Sequence, residues 1–111
     1  MKAALPKRIT AAILLCLLGS APALAITAQD VTDKMSKQER YSYLTGLIDM
    51  RAFEAAQSGS GAMATCIYDA YYHGDDNGKA AWAKLLDGLR QFPDKQPATI
   101  VHLLTQKACG K

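Results

Sequence analysis

Residues 66–109 read CIYDAYYHGDDNGKAAWAKLLDGLRQFPDKQPATIVHLLTQKAC. The stretch opens and closes on cysteine, and strong punctuation divides it into helical segments. Met63, Ile67, Ala70 and Tyr71 mark one face of a short helix over residues 62–72, with Cys66 in the neighbouring row. His73-Gly74-Asp75-Asp76-Asn77-Gly78 breaks that helix, and Asp76 or Asn77 is placed to cap the next. Trp82, Leu85, Leu86 and Leu89 then fall at i, i+3, i+4 and i+7, the signature of a helix with one apolar stripe. Phe92 extends the stripe and Pro93 ends it. After a turn at residues 94–96, Pro97 opens a last helix. Its Ile100, Val101, Leu104 and Ala108 are expected to face inward, and Cys109 ends the run.

Upstream, Ser36-Lys37-Gln38-Glu39 has the form of a capping box, in which the serine oxygen accepts from the backbone N–H three residues on. No proline interrupts the chain from there to about Gln57. Tyr41, Leu44, Ile48, Ala52 and Ala55 keep helical spacing, with Leu47 widening the stripe. Gly46 costs this helix about 1 kcal/mol relative to alanine, and close approach of a neighbouring helix is the expected compensation. Ser58-Gly59-Ser60-Gly61 makes the turn. Residues 26–35 show no clear period and read as a short turn or a frayed first segment. No stretch alternates convincingly with period two, and no internal repeat is present. The expectation is an all-α fold: one domain over residues 26–111, a compact bundle of about four helices stapled by one disulfide.

The staple follows from the N-terminus. Lys2, Lys7 and Arg8 flank and precede an apolar run, Ile9 to Leu18, and Ala23-Leu24-Ala25 places small residues where a signal peptidase reads them. A leader over residues 1–25, cleaved after Ala25, and export to the periplasm are therefore expected. The run is shorter than the roughly 20 residues that span a bilayer. Cys16, preceded by Leu14 and Leu15, lacks the small residues of a lipoprotein signal. Cys16 leaves with the leader, so Cys66 and Cys109 are the mature chain's one pair, and an oxidising compartment favours their disulfide. Closing a loop of about 44 residues contributes about 4 kcal/mol in chain-entropy terms. That is a large share of the roughly 5–15 kcal/mol by which small domains are stable.

Loss of the leader also resets the charge. Three of the 13 Lys and Arg lie in it and none of the 10 Asp and Glu does, so ten of each sign remain and the mature net charge is zero. No basic footprint is left for nucleic acid or anionic lipid. Nothing after Ala25 is apolar enough over a sufficient length for stable membrane insertion.

The residues that could carry chemistry have blander readings. Cys66 and His73 are seven apart, about 10.5 Å along a helix axis, too far for a nucleophile and its base. His73, Asp75 and Asp76 are of metal-ligating type, and Asp75-Asp76-Asn77-Gly78 faintly resembles a calcium loop, but Lys79 occupies a ligand-spaced position, and a solvated turn with a helix cap accounts for them. His102 lies among apolar neighbours with no second histidine at metal spacing. Neither a Gly-x-Ser-x-Gly elbow nor a phosphate-cradling glycine loop occurs. No enzyme, cofactor or metal is expected. The aromatics are more suggestive. Tyr41, Tyr43, Tyr68, Tyr71 and Tyr72 are many for one small core, and tyrosine is favoured at protein interfaces. Tyr68, Tyr71, Tyr72 and His73 are the candidate partner-binding surface.

Two stretches together carry a resemblance. Tyr43-Leu44-Thr45-Gly46-Leu47-Ile48-Asp49 resembles the Tyr-x-x-Gly-x-x-Asp helix of the Rap/Tai group of small periplasmic proteins. Phe92-Pro93-Asp94, then Pro97-Ala98-Thr99-Ile100-Val101, Leu103-Leu104 and Cys109 are similar to that family's ending. Cys66, about 17 residues after Asp49, falls where the family places the partner cysteine. The likeness covers residues 38–110; the family's further cysteine pair near the start of the first helix is absent here. The group includes immunity proteins that neutralise peptidoglycan-amidase toxins delivered by type VI secretion. It therefore implies a non-enzymatic binding module that blocks a toxin. The alternative is an HdeA-like periplasmic acid-stress chaperone, which would bind unfolded clients and start from a homodimer. Protonation of its carboxylates near pH 4 would make such a chain strongly cationic.

Overall fold

The computed structural model describes residues 25–110. But for Ala25, the expected leader lies outside the described residues. Four α-helices follow a short N-terminal turn: α1 Lys37–Gln57, α2 Gly61–Tyr72, α3 Asp76–Gln91 and α4 Pro97–Cys109. No strand occurs among the described residues. Helix α2 packs on each of the other three, and α4 also lies against α1 and α3.

Each helix starts and stops for a local reason. Ser36 Oγ accepts from Glu39 N–H at 3.2 Å and caps α1. At the other end Gly59 turns the chain with φ +83°, a conformation that L side chains resist, and Gly74 does so after α2 with φ +69°. The cap of α3 is one residue earlier than the sequence suggests. Asp75 Oδ1 accepts from Gly78 N–H at 2.9 Å, so Asp76 becomes the first helical residue and its carboxylate sits at the positive end of the helix dipole. Pro97 stands at the first turn of α4, where its missing N–H removes no helical bond.

Leu44, Ile48, Ala52 and Ala55 of α1 meet Ile67 and Tyr71 of α2, Leu85 and Leu89 of α3, and Ile100 and Val101 of α4 in one core. Burying each of the larger aliphatic side chains contributes about 1.5–3 kcal/mol. Thr105, fully buried, donates its hydroxyl to the Val101 carbonyl at 2.8 Å, so its burial leaves no orphan donor. Cys66 and Cys109 form the expected disulfide, Cα atoms 5.8 Å apart, tying α2 to the last residue of α4.

Several stripe positions come out differently from the sequence reading. Tyr41 and Phe92 are 56% and 52% exposed, because each lies at a helix end where the stripe has run past the core. Ala108 is exposed as well. Gly46 faces open space, with nothing within 4 Å of a Cβ built there; the glycine that permits a close helix contact is Gly88. A Cβ on Gly88 would stand 3.1 Å from Ile100 Cγ2 and 3.5 Å from Leu104 Cδ1.

Residues 26–35 are an integral plug rather than a frayed end. Thr27 and Asp30 cap each other reciprocally, Thr27 N–H to Asp30 Oδ2 at 3.0 Å and Asp30 N–H to Thr27 Oγ1 at 3.2 Å. A π-helical turn, Asp30–Lys34, follows. Ala28 and Val31 are fully buried in the core. Ala28 and Gln29 donate their N–H groups to the Lys95 and Pro93 carbonyls of the α3–α4 loop, at 2.8 and 3.0 Å. From α1, the Arg40 guanidinium donates to the carbonyls of Val31, Thr32 and Met35 at 3.1, 3.1 and 3.3 Å. One cation thus satisfies the unpaired carbonyl end of the turn.

Candidate binding face

The four residues singled out from the sequence all belong to α2 or its end, but the helix sends them different ways. Tyr71 is 6% exposed and packs edge-on against Trp82, ring centroids 5.8 Å apart. Burial pushes its phenol pKa up. It is largely a core residue, so of the four it has the least surface to offer, although it also helps line a depression beside Trp82. Tyr72 is half-buried, its hydroxyl donating to Asp49 Oδ1 at 3.0 Å with the Thr45 carbonyl at 3.3 Å. Its pKa is raised well above the usual phenol value, first by burial and then by the Asp49 carboxylate that accepts its proton. This bond gives Asp49, the acid of the Tyr-x-x-Gly-x-x-Asp helix, a role in joining α1 to α2. Tyr68 is 44% exposed and lies against the Tyr72 ring, centroids 5.7 Å apart. His73 is exposed, with Nε2 3.4 Å from Asp69 Oδ1 one turn back.

The surface continues onto two residues the sequence reading placed elsewhere. Tyr41, at the start of α1, stacks on Trp82 of α3 with centroids 5.3 Å apart and ring planes 30° from parallel. Trp82 is fixed from below: its indole N–H donates to the Tyr71 carbonyl at 3.0 Å. Tyr41, Tyr71, Tyr72 and Trp82 line one open depression together with Lys79 and Leu86. On the other side of the stacked pair, Lys37, Arg40, Tyr41, Leu44, Trp82 and Leu86 line a second depression of about 320 Å³. An aromatic band therefore runs from Tyr68 through Tyr72 to Tyr41 and Trp82, crossing three helices. The available sequence signal was the presence of an aromatic in the second turn of both α1 and α3.

The remaining polar candidates stay apart. Among the described residues no three His, Cys, Asp or Glu side chains converge as metal ligands would. Cys66 is consumed in the disulfide. His102 is exposed on α4, at the rim of a shallow depression with Arg51 and Glu54. No described helix is long and apolar enough to cross a membrane. The chain gives no match to any family model, curated protein or solved structure with which it was compared.

Proposed function

We propose that this chain is an exported, non-enzymatic protein-binding module. Its aromatic band packs on a partner protein and occludes that partner's working surface, in the manner of an immunity protein that blocks a cell-wall amidase toxin. The observation that carries the reading is the band itself. Large aromatic side chains are left partly exposed, yet each is held by the fold. Tyr72 is bonded to α1, Trp82 to α2, and Tyr41 stacks on Trp82. Aromatic groups already held in place lose little conformational freedom on binding, which is the property of interface anchors. The scaffold resemblance of residues 38–110 supplies the more specific, immunity-type version of the proposal.

The acid-chaperone alternative makes a different demand on the fold. Acid opening requires carboxylates whose protonation at moderately low pH releases native contacts. Asp30, which holds the N-terminal plug, has its pKa lowered to about 2, first by Lys34 at 2.8 Å and then by its bonds with Thr27. Its contribution to the plug is complete above about pH 4 and is lost only as pH falls toward 2, so moderate acid does not release this contact.

The test is affinity capture of the tagged protein from the periplasm of its own organism, with partners identified by mass spectrometry. One stoichiometric cell-wall hydrolase is the expected result. A broad client set that appears only after acid treatment would reject this reading in favour of the chaperone.

A further inference from the structure

The two depressions beside Tyr41 and Trp82 share a charge pattern. Lys37 and Arg40 frame one and Lys79 borders the other, while no Asp or Glu lines either. Lys37 and Lys79 make no ion pair among the described residues, whose three ion pairs all lie elsewhere. Arg40 is held by three backbone carbonyls, which fix its position without neutralising its charge. An apolar floor of Leu44, Leu86 and the stacked rings is thus bordered by three cations, with the nearby Asp49 and Asp75 engaged in bonds to Tyr72 and Gly78. The mature chain, read from its sequence, has no net positive charge to account for that concentration of sign.

We propose that this saddle is the docking site for an acidic segment of a partner protein that seats one bulky apolar side chain against Tyr41 and Trp82. The inference rests on the protein-binding reading above and adds the chemistry of the partner. Complementary charge at the rim steers association and selects the partner, whereas the apolar anchor holds it. A partner segment fits better than a small molecule. The two depressions, about 320 and 520 Å³, lie open to solvent and would leave much of a small ligand's surface exposed.

Trp82 is the chain's single tryptophan, so its fluorescence reads this site directly. The purified protein is titrated with two capped peptides that lack aromatic residues. One carries a Leu-Leu pair flanked by Asp and Glu, and the other carries the same pair flanked by Lys. The acidic peptide is expected to shift Trp82 emission saturably, with affinity about tenfold weaker in about 0.5 M NaCl. The charge-reversed variant Lys37→Glu/Lys79→Glu should weaken it about tenfold as well, and Tyr41→Ser should abolish the shift. Lys37 and Lys79 are exposed and unpaired among the described residues, so the charge-reversed variant should melt with the wild type, whereas Tyr41→Ser gives up its stacking on Trp82 and should melt a few degrees lower while staying folded. Equal binding of the two peptides, or an unchanged affinity in the charge-reversed variant, would overturn the proposal. If a partner captured from the periplasm binds wild type and charge-reversed variant alike, the site is wrong while the protein-binding reading stands. If no partner is captured and neither peptide binds, both fall.

Discussion

Gly46 and Gly88 lie inside helices, and the same substitution should move stability in opposite directions at the two positions. Glycine in a helix interior costs about 1 kcal/mol relative to alanine, through its greater freedom in the unfolded chain. At Gly46 nothing opposes that gain: the position is exposed, and a new Cβ meets no atom within 4 Å. Gly46→Ala should therefore stabilise by about 0.5–1 kcal/mol. At Gly88 the same gain is available, but the methyl would press to 3.1 Å on Ile100 Cγ2, and Ile100 is buried with little room to retreat. Overpacking of this kind costs about 1–3 kcal/mol. The balance for Gly88→Ala is a net loss of up to about 2 kcal/mol.

Thermal and urea unfolding of the oxidised protein followed by circular dichroism would measure both. For a domain of this size 1 kcal/mol moves Tm by about 4–8 °C, so the two variants should fall on opposite sides of the wild type by readable margins. A loss of stability in Gly46→Ala would mean that something packs on the outer face of α1 and that the open space there is not real. A gain at Gly88 as large as that at Gly46 would mean that α3 and α4 are farther apart than 3.1 Å implies.

Other outcomes test the remaining contacts. Cys66→Ser and Cys109→Ser should each lose about 4 kcal/mol, and the double variant should lose no more than either single; additive losses in denaturant titrations would break the pairing. Asp30→Asn should lower Tm by a constant amount above about pH 4. The folded pKa of about 2 lies below the ordinary 3.8, so this contribution is complete above the unfolded value and fades as pH falls through the folded one. A Tm difference that is undiminished near pH 2 would assign the effect to something other than the charge. Tyr71→Ala should cost about 3–5 kcal/mol, whereas Tyr68→Ala should stay within about 0.5–1 kcal/mol of the wild type. Equal losses in calorimetry would place Tyr68 in the core.

Periodicity made the four helices legible, and it did so because their signals are local. Leu85 and Leu89, Leu44 and Ile48, and Ile100 and Val101 lie in the core where spacing places them. Gly59, Gly74 and Pro97 mark ends through backbone constraints that act within a residue or two. Failures come where the deciding partner is distant in sequence. Spacing alone does not distinguish Gly46 from Gly88, since only the approach of α4 makes one of them tight. The N-terminal plug is short, and its apolar residues Ile26, Ala28, Val31 and Met35 follow no sustained helical period. It folds because Arg40 and the α3–α4 loop satisfy its backbone, and neither interaction has a periodic signature.

The binding face illustrates the same division at finer scale. Tyr68, Tyr71 and Tyr72 look like one cluster in the sequence, but successive residues on a helix point about 100° apart, so Tyr71 and Tyr72 cannot serve one surface equally. Tyr71 turns to the core and supports Trp82 from below, with its ring against the indole and its carbonyl accepting the indole N–H. Tyr68 and Tyr72, four apart, stay together on the outside. The most buried member of the candidate surface is thus what positions Trp82. Arg40 has a comparable double part, since the carbonyls it satisfies in the plug hold its charge at the mouth of the cleft. Removing Arg40 would disturb the plug and the cleft together, so a binding defect in that variant could not be assigned to lost charge alone. The side chains of Lys37 and Lys79 make no ion pair among the described residues, and they are the positions at which charge recognition can be separated from folding.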